Sequence, residues 1–192
     1  VDWRVSEVSE LGQIIRRQMD PRTHPQEWFQ LHGIPEFDNG KSPLTLRGSE
    51  IGSSKVRFEP GDVLFSKLNP RIPRVWVPRA GSVNNICSPE FLVLRPSPSL
   101  HSQYVSAWFT GGIFFRLVLD AVSGTTGSHQ RLDSHSFGRL PVALPPHVEQ
   151  QAIAKVLSDM DEDIEVLIQR RDKTIKVKQA LMDELLTGRT RV

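Results

Sequence analysis

The chain has 192 residues, of which 38% are hydrophobic, and its 24 Lys or Arg and 22 Asp or Glu give a net charge of +2. This composition excludes a disordered chain and suffices for one globular domain with a further element attached. The sequence has neither the run of roughly 20 apolar residues that a bilayer span requires nor a secretion signal, so we expect a cytoplasmic protein. The single cysteine, Cys87, is expected in the core.

The first hundred residues are predicted to be rich in β-strands. Short runs of β-branched and aromatic residues, separated by Gly and Pro, indicate strands near 28–31, 56–58, 63–68, 74–77 and 91–94. Dipeptides such as Asn39-Gly40 and Asn69-Pro70 mark turns between these strands. This part of the chain is therefore predicted to form a mixed, β-rich domain.

Helical spacing of apolar residues begins after residue 101. It predicts a buried helix over 102–122, bent at Gly111 and Gly112, then a polar loop, a short helical turn near 133–137 and a strand at 140–144. The predicted fold class is α+β, with a β-rich domain over residues 1–144 and a long C-terminal coiled-coil helix over residues 145–192.

The predicted long helix has clear signals at both ends and a regular apolar ladder. Pro145 and Pro146 suit its first turn, and Gly188 suits the left-handed residue after its last turn. Apolar residues alternate at spacings of four and three, which is the pattern of a coiled coil and indicates a partner helix. The ladder consists of Ile153, Leu157, Met160, Ile164, Leu167, Leu181 and Leu185, with Arg171, Thr174 and Lys178 in its middle.

Charges along this helix are segregated. Acidic residues cluster between 159 and 165, whereas basic residues cluster between 170 and 178. Antiparallel packing of two copies about residue 169 would place each cluster against its complement, whereas parallel packing would place like charges together. The sequence therefore predicts either an antiparallel homodimer or a helix from another protein on this ladder.

Motifs for catalysis are missing from the sequence. The small-residue segment Gly124-Thr125-Thr126-Gly127-Ser128 lacks the lysine of a phosphate-binding loop, and the histidines have no Cys or carboxylate cluster at metal-ligand spacing. Asp62 and Lys67 suggest a nuclease centre only weakly, because a second converging acid is not near them in sequence. We expect no catalytic residues and no metal site in this chain.

Two loops carry side chains suited to DNA recognition. Residues 47–79 contain seven Lys or Arg and three Asp or Glu, an excess that suits contact with phosphate. Arginine can read guanine, asparagine or glutamine can read adenine, and lysine neutralises phosphate. We predict DNA contact by both loops, against the alternative that they are ordinary solvated loops. The candidates are Lys67, Asn69, Arg71 and Arg74 in one loop and His129, Gln130 and Arg131 in the other.

Two stretches resemble a known family, the specificity (S) subunits of type I restriction-modification systems. One runs from Leu144-Pro145-Pro146 through Glu149-Gln150-Gln151 to Leu185-Leu186-Thr187-Gly188 and is similar to the family's helical region almost end to end. The other is Gly61-Asp62-Val63-Leu64-Phe65-Ser66-Lys67-Leu68, with Ser88-Pro89-Glu90-Phe91, and is similar to the framework of its target recognition domain. The resemblance covers most of the chain. It does not identify the DNA sequence that is recognised.

This resemblance implies a non-catalytic subunit that binds double-stranded DNA through a target recognition domain. Its helix is expected to dock the methyltransferase (M) subunit, which uses S-adenosylmethionine, and through the complex the restriction (R) subunit. The chain itself is expected to hold no cofactor. The usual member has two recognition domains and two antiparallel helices, so this chain is expected to be a half-size subunit, half of a longer protein or a trimmed chain.

Two further function classes compete with this interpretation. The chain could be a non-DNA adaptor that uses the helix as an assembly rod and the β-rich domain to bind protein or peptide. A self-sufficient nuclease or methyltransferase is disfavoured by the missing motifs. DNA binding through several phosphates weakens steeply with salt, whereas a hydrophobic peptide site responds little, so salt dependence separates the first two classes.

Overall fold

A computed structural model describes residues 3–78, 84–122 and 130–191. Within these ranges the strands are β1 (Arg4–Glu7), β2 (Gly12–Ile15), β3 (Gln18–Met19), β4 (Trp28–His32), β5 (Leu44–Arg47), β6 (Lys55–Arg57), β7 (Val63–Ser66), β8 (Val75–Trp76), β9 (Asn84–Cys87), β10 (Phe91–Pro96) and β11 (Pro141–Leu144). The α-helices are α1 (Ile34–Asp38), α2 (Ser102–Thr110), α3 (Gly112–Ala121), α4 (Ser134–Gly138) and α5 (His147–Leu186), and 3-10 turns lie at Val8–Glu10, Pro21–Thr23 and Gly48–Glu50.

The strands form three sheets. A four-stranded antiparallel sheet has the order β2-β10-β7-β8, and a five-stranded sheet has the order β3-β6-β9-β4-β5. In the second sheet β4 and β9 are parallel and the other pairs are antiparallel. The third sheet consists of β1 and β11, which pair Arg4 with Leu144 and Glu7 with Pro141.

The main core lies between the two larger sheets. Strand β7 is buried along its whole length, as expected for a short apolar run covered on both faces. One side of this strand contributes Leu64 to a cluster with residues from β6, β8, β9 and β10, so both sheets share one core. The buried members are Val56, Phe58, Leu64, Trp76, Cys87, Phe91 and Val93.

The opposite side of β7 packs on an aromatic cluster. Phe65 lies 5.0 Å from Phe137 on α4, measured between ring centroids, and 5.8 Å from Phe109 on α2. Phe109 stacks on Phe114 of α3 at 4.7 Å. All four rings are buried, so helices α2, α3 and α4 are held against the same strand.

The α+β fold class predicted from the sequence is confirmed. Strands form at or near each of the predicted segments, and the interruption predicted within 102–122 occurs at Gly111, which has an extended ψ of 145° and separates α2 from α3. The sequence did not predict β1, β2, β3, β5 and β9 or the short helix α1. The long helix is confirmed, but α5 runs from His147 to Leu186 and is shorter than the predicted 145–192, because Pro145 and Pro146 precede its first residue and Gly188 follows its last turn in the left-handed region at φ 70°.

The chain divides into two compact units, residues 1–152 and 153–192, so the first turn of α5 belongs to the first unit. Gln150 is buried in that unit, where its Oε1 accepts from the His101 N–H at 3.1 Å and its Nε2 donates to the Pro145 carbonyl at 3.0 Å. The predicted domain boundary at 144/145 stays a prediction. Among the helices of the described ranges, none combines the length and the apolar composition that a bilayer crossing needs.

Candidate nucleic-acid interface

The two loops predicted to contact DNA lie side by side. We call residues 67–74 and 130–133 the loop pair. The Asn69 N–H donates to the Gln130 carbonyl at 3.0 Å, and the Leu132 N–H donates to the Lys67 carbonyl at 3.0 Å. These bonds form an antiparallel bridge between Leu68 and Arg131, so segments about 60 residues apart in sequence share one surface.

Buried side chains directly before and after the loops bring them together. Phe65 precedes the first loop and contacts Phe137, which follows the second. Leu132, within the second loop, is completely buried. Because aromatic and leucine side chains each contribute roughly 1.5–3 kcal/mol by burial, the loop pair rests on a stable base.

The first loop contains a tight turn that exposes its tip. The Ile72 N–H donates to the Asn69 carbonyl at 3.1 Å, and Pro70 occupies the second position of this turn, which favours proline. Asn69 has a φ of 47°, in the left-handed region that asparagine tolerates better than most residues. Arg71 and Ile72 are exposed at the tip, while Pro70 is buried beneath it.

One side-chain contact joins the two loops, and another joins the second loop to Glu90. The Nε of Arg71 donates to Oε1 of Gln130 at 3.0 Å. The Nη2 of Arg131 donates to Oε1 of Glu90 at 3.1 Å, and the Glu90 carbonyl accepts from the Lys67 N–H at 2.9 Å. Each of the two exposed arginines is therefore held by a hydrogen bond to a neighbouring side chain.

Arg74 has a different environment from the other predicted DNA contacts. Arg74 is only 8% exposed, and its guanidinium donates to both carboxylate oxygens of Asp38, at 2.7 and 2.8 Å. The hydrogen bonds from Arg74 lower the pKa of Asp38 below its ordinary value. Arg74 thus fastens the loop to α1, and DNA contact by this side chain would require the pair to separate.

Six of the seven residues predicted to contact DNA lie in one region of the fold. Lys67, Asn69, Arg71, Gln130 and Arg131 lie together in the loop pair, and Arg74 lies at its base. His129 lies outside the described residues. DNA contact by these residues stays a prediction.

The basic excess of residues 47–79 is spread over several places. Arg47 stacks on Trp28 with its guanidinium carbon 5.0 Å from the ring centroid, and the Arg57 guanidinium contacts the Asn84 amide. Lys55 is nearly buried, and its Nζ donates to the Ser53 carbonyl at 2.9 Å. These three side chains belong to the five-stranded sheet, so they do not share the surface of the loop pair.

The environments of Asp62 and Cys87 indicate structural roles for both residues. Asp62 is buried and accepts two hydrogen bonds from Arg95, both at 2.9 Å, and one from the Glu59 N–H at 2.8 Å. Cys87 is buried in the core, as predicted, and burial raises the pKa of its thiol far above the ordinary value. The thiolate is therefore strongly disfavoured at neutral pH.

The ladder predicted on the long helix is largely open to solvent. Ile153 is half-buried, and the other six apolar members have between 40% and 62% of their surface exposed. Beside the ladder lies a second row at a spacing of seven, which the sequence interpretation missed although its heptad spacing was visible. We call it the side stripe, and its members are Ile168, Ile175 and Met182, which are 37%, 56% and 39% exposed.

The family comparison identifies the class to which this chain belongs. The family described as the type I restriction modification DNA specificity domain matches residues 1–177. The chain belongs to this family. The match includes the loop pair and most of α5, so it confirms the resemblance on which the sequence interpretation relied.

Two specificity subunits are similar to this specificity domain over nearly all of its length. The putative type I restriction enzyme MjaX specificity subunit of Methanocaldococcus jannaschii is 23% identical over 97% of this chain and 46% of its own length. The type I restriction enzyme HindI specificity subunit of Haemophilus influenzae is 24% identical over 94% of this chain and 40% of its own. The specificity domain therefore spans less than half the length of these relatives.

Solved structures share its fold. The HsdS subunit from Thermoanaerobacter tengcongensis superposes with a TM-score of 0.71 at 20% identity, covering 94% of this chain and 47% of that subunit. A chain from work on complex assembly and conformational transition of the type I R-M system superposes with a TM-score of 0.75 at 20% identity, covering 98% and 50%. Both likenesses agree with a β-rich domain followed by one long helix.

Proposed function

We propose that the chain is a non-catalytic DNA sequence-recognition subunit of a type I restriction-modification complex and reads one half of a bipartite site. Membership of the specificity-domain family carries this proposal. The chain matches 46% and 40% of the length of two specificity subunits, so it would supply one of two DNA-reading halves. Family membership does not favour the alternative of a non-DNA adaptor for protein or peptide.

The loop pair is the surface we propose for DNA reading. Its exposed arginines, Arg71 and Arg131, are long enough to reach base edges, and Lys67 beside them would neutralise phosphate. Backbone hydrogen bonds between the loops fix their spacing before DNA arrives, which reduces the conformational entropy lost on binding. Asn69 adds an amide that can donate and accept.

The long helix is the element we propose for assembly. In an antiparallel pair centred on residue 169, Ile153 would face Leu185 and Leu157 would face Leu181, so apolar residues meet at both ends. The acidic cluster at 159–165 would face the basic cluster at 170–178. Each recognition domain precedes its helix, so the two domains would enter the pair at opposite ends, and a two-fold pair would read an inverted repeat.

The remaining apolar surface of the helix supports docking of a second protein. The side stripe would stay uncovered if the ladder alone formed the pair, and we assign it to the methyltransferase subunit. S-adenosylmethionine would be bound there and not in this chain. The restriction subunit would join through that complex, and a location in the cytoplasm would follow from this role.

Co-expression with a methyltransferase subunit of a type I system tests the proposal. We expect a stable complex that methylates DNA, and mapping of the methylated bases should return a two-part site with an unread gap. If the chain pairs with itself, the two parts should be inverted repeats. A continuous site would contradict the proposed spacing of two reading domains.

Salt dependence separates DNA reading from the adaptor function. The affinity of the complex for its site should fall steeply between about 50 and 200 mM salt, with a slope near the number of phosphate contacts. A complex that binds peptide or protein with little dependence on salt, and binds no DNA sequence selectively, would favour the adaptor.

A further inference from the structure

The contact between Arg71 and Gln130 limits what each side chain can offer to a base. The Arg71 Nε donates to the amide oxygen of Gln130 at 3.0 Å, so this oxygen is already engaged as an acceptor. Because the partner is an arginine, which has donors but no acceptor, the amide must present its oxygen to Arg71 and turn its nitrogen away. The orientation of the Gln130 amide is therefore fixed by chemistry.

The groups left for DNA at this contact are mainly donors, beside one remaining lone pair on the Gln130 oxygen. Arg71 retains its two terminal nitrogens, which form the fork that donates two parallel hydrogen bonds, and Gln130 retains its amide nitrogen. Adenine offers one acceptor and one donor in the major groove, whereas guanine offers two acceptors, N7 and O6. A glutamine that reads adenine presents its oxygen and its nitrogen together to the base edge, and here the guanidinium of Arg71 lies against that oxygen.

Gln130 is well placed to hold the guanidinium. Its own carbonyl accepts from the Asn69 N–H at 3.0 Å, and the next residues, Arg131 and Leu132, complete the bridge to Leu68 and Lys67. Gln130 is half-buried, whereas Arg71 is exposed at the tip of its turn. The amide therefore restrains an otherwise mobile arginine from a fixed part of the fold.

We propose that Arg71 and Gln130 form one guanine-reading unit, in which Arg71 contacts the base and Gln130 is a positioning residue. This inference rests on the proposed DNA-reading function. It replaces the expectation that Gln130 reads adenine by itself. Asn69 is not part of the unit, because its side-chain amide is not engaged by Arg71.

Base preference in the assembled complex tests this unit. The complex of the full chain with the methyltransferase subunit is used to select DNA from a pool in which each position of the half-site is randomised. Three variants are compared with the unmodified chain. Arg71→Ala removes the reader, Gln130→Leu removes the acceptor at similar size, and Gln130→Glu keeps an acceptor oxygen while removing the amide donor.

We expect Arg71→Ala and Gln130→Leu to lose the preference for guanine at the same base pair, by roughly 5- to 150-fold each. Gln130→Glu should keep that preference, although its negative charge should weaken binding to all sequences alike. Arg116→Ala, at an exposed arginine of α3 outside the loop pair, is the control and should leave the preference unchanged.

Other outcomes overturn the inference or the function beneath it. If Gln130→Leu and Gln130→Glu both abolish an adenine preference that Arg71→Ala leaves intact, Gln130 reads adenine directly and the unit does not exist. Unchanged preferences in both Arg71→Ala and Gln130→Leu would also overturn it. If the unmodified complex binds DNA without sequence preference, the proposed function itself is wrong.

Discussion

At the loop pair, the partner of each arginine decides what that side chain can do. Arg71 contacts a neutral amide, Arg131 contacts the carboxylate of Glu90, and Arg74 is paired through two hydrogen bonds with Asp38. The neutral partner leaves the charge of Arg71 fully available. Arg131 must share its charge with Glu90, and Arg74 is committed to the fold.

Truncation of either exposed arginine of the loop pair should weaken specific binding. Arg71→Ala and Arg131→Ala should each weaken specific binding by about 1–3 kcal/mol if these residues read bases, because a lost base contact is not replaced by water. Competition binding of the assembled complex, with specific and unrelated DNA, measures the effect, and Arg116→Ala serves as the charge-matched control. An equal loss of affinity for both DNAs would indicate that the arginines contact phosphates and not bases.

A buried histidine should make stability depend on pH. His32 lies 4.9 Å from the Phe58 ring and 4.6 Å from the Trp76 ring, and burial lowers its pKa, an effect partly offset by its Nδ1 hydrogen bond to the Gln30 carbonyl. The unfolded chain takes up a proton below pH about 6.5, whereas the folded chain does not until the pH is lower. This contribution to stability is complete above pH about 6.5 and is lost as the pH falls below it.

Denaturant unfolding between pH 7.5 and 5 measures this loss. The free energy of unfolding should fall by at most about 1.4 kcal/mol per pH unit from this group. His32→Phe, which keeps a ring in the same place, should flatten the dependence, whereas His147→Gln at an exposed position should not. An unchanged slope in His32→Phe would remove His32 as the cause.

At the scale of elements, the pair of Asp62 and Arg95 fixes β7 against β10. Asp62 lies immediately before β7 and is 2% exposed in its side chain, while Arg95 on β10 is 35% exposed. Arg95 also contacts Glu59 at 3.1 Å. The carboxylate is thus the fully buried member of a small charge network at the end of the central strand.

Asp62→Ala should destabilise the domain by about 2–3 kcal/mol, because three hydrogen bonds to a buried carboxylate are lost. The cost should stay below the roughly 3–5 kcal/mol typical of broken buried ion pairs, since Arg95 is partly exposed and keeps Glu59. Thermal or denaturant unfolding measures it, with Asp120→Ala on the exposed side of α3 as the control. Equal stability of both variants would contradict a structural role for Asp62.

Local sequence predicts the strands and helices that have a clear pattern of their own. It misses those whose conformation depends on neighbouring strands. Strand β7 is a continuous apolar run, and α5 has proline, glycine and a ladder to mark it, so both are visible in sequence. Strand β9 begins with Asn84 and Asn85, which suggest a turn, yet it forms because it pairs on both sides with β4 and β6. Its conformation depends on its neighbours in the sheet.

The candidate site shows the same limit. Long cationic and amide side chains in two polar loops are visible in the sequence, but the proximity of the loops is not. It depends on the contact of Phe65 with Phe137 and on the burial of Leu132. Leu132 and Phe137 are far from the first loop in sequence but near it in the fold. The pairing of Arg74 with Asp38 is equally long-range.

At the scale of the whole molecule, the direction of helix pairing can be measured with cysteines. Antiparallel pairing about residue 169 puts Leu157 of one copy beside Leu181 of the other, whereas parallel pairing puts identical residues together. A mixture of Leu157→Cys and Leu181→Cys chains should therefore form cross-linked heterodimers on mild oxidation. Buried Cys87 should not compete for the disulfide.

Each single variant supplies the control for that experiment. Leu157→Cys alone should not cross-link if the pair is antiparallel, and efficient cross-linking of it would demonstrate the parallel arrangement. Sedimentation of the unmodified chain over a range of concentrations checks the pairing itself. If the chain stays monomeric throughout, the ladder would pack against a helix from another protein and not against a second copy.

The pairing of β1 with β11 has a consequence for how longer proteins of this kind can be built. It places Arg4 beside Leu144, and the Trp3 indole N–H donates to Oε1 of Glu149 at 3.2 Å, so the domain's first strand adjoins the residues that lead into the helix. Segments that join a domain at neighbouring points can be exchanged without cutting its core. If the β-rich unit reads DNA as proposed, replacing it as one piece from β1 to β11 should exchange the half-site that is read and leave the long helix in place.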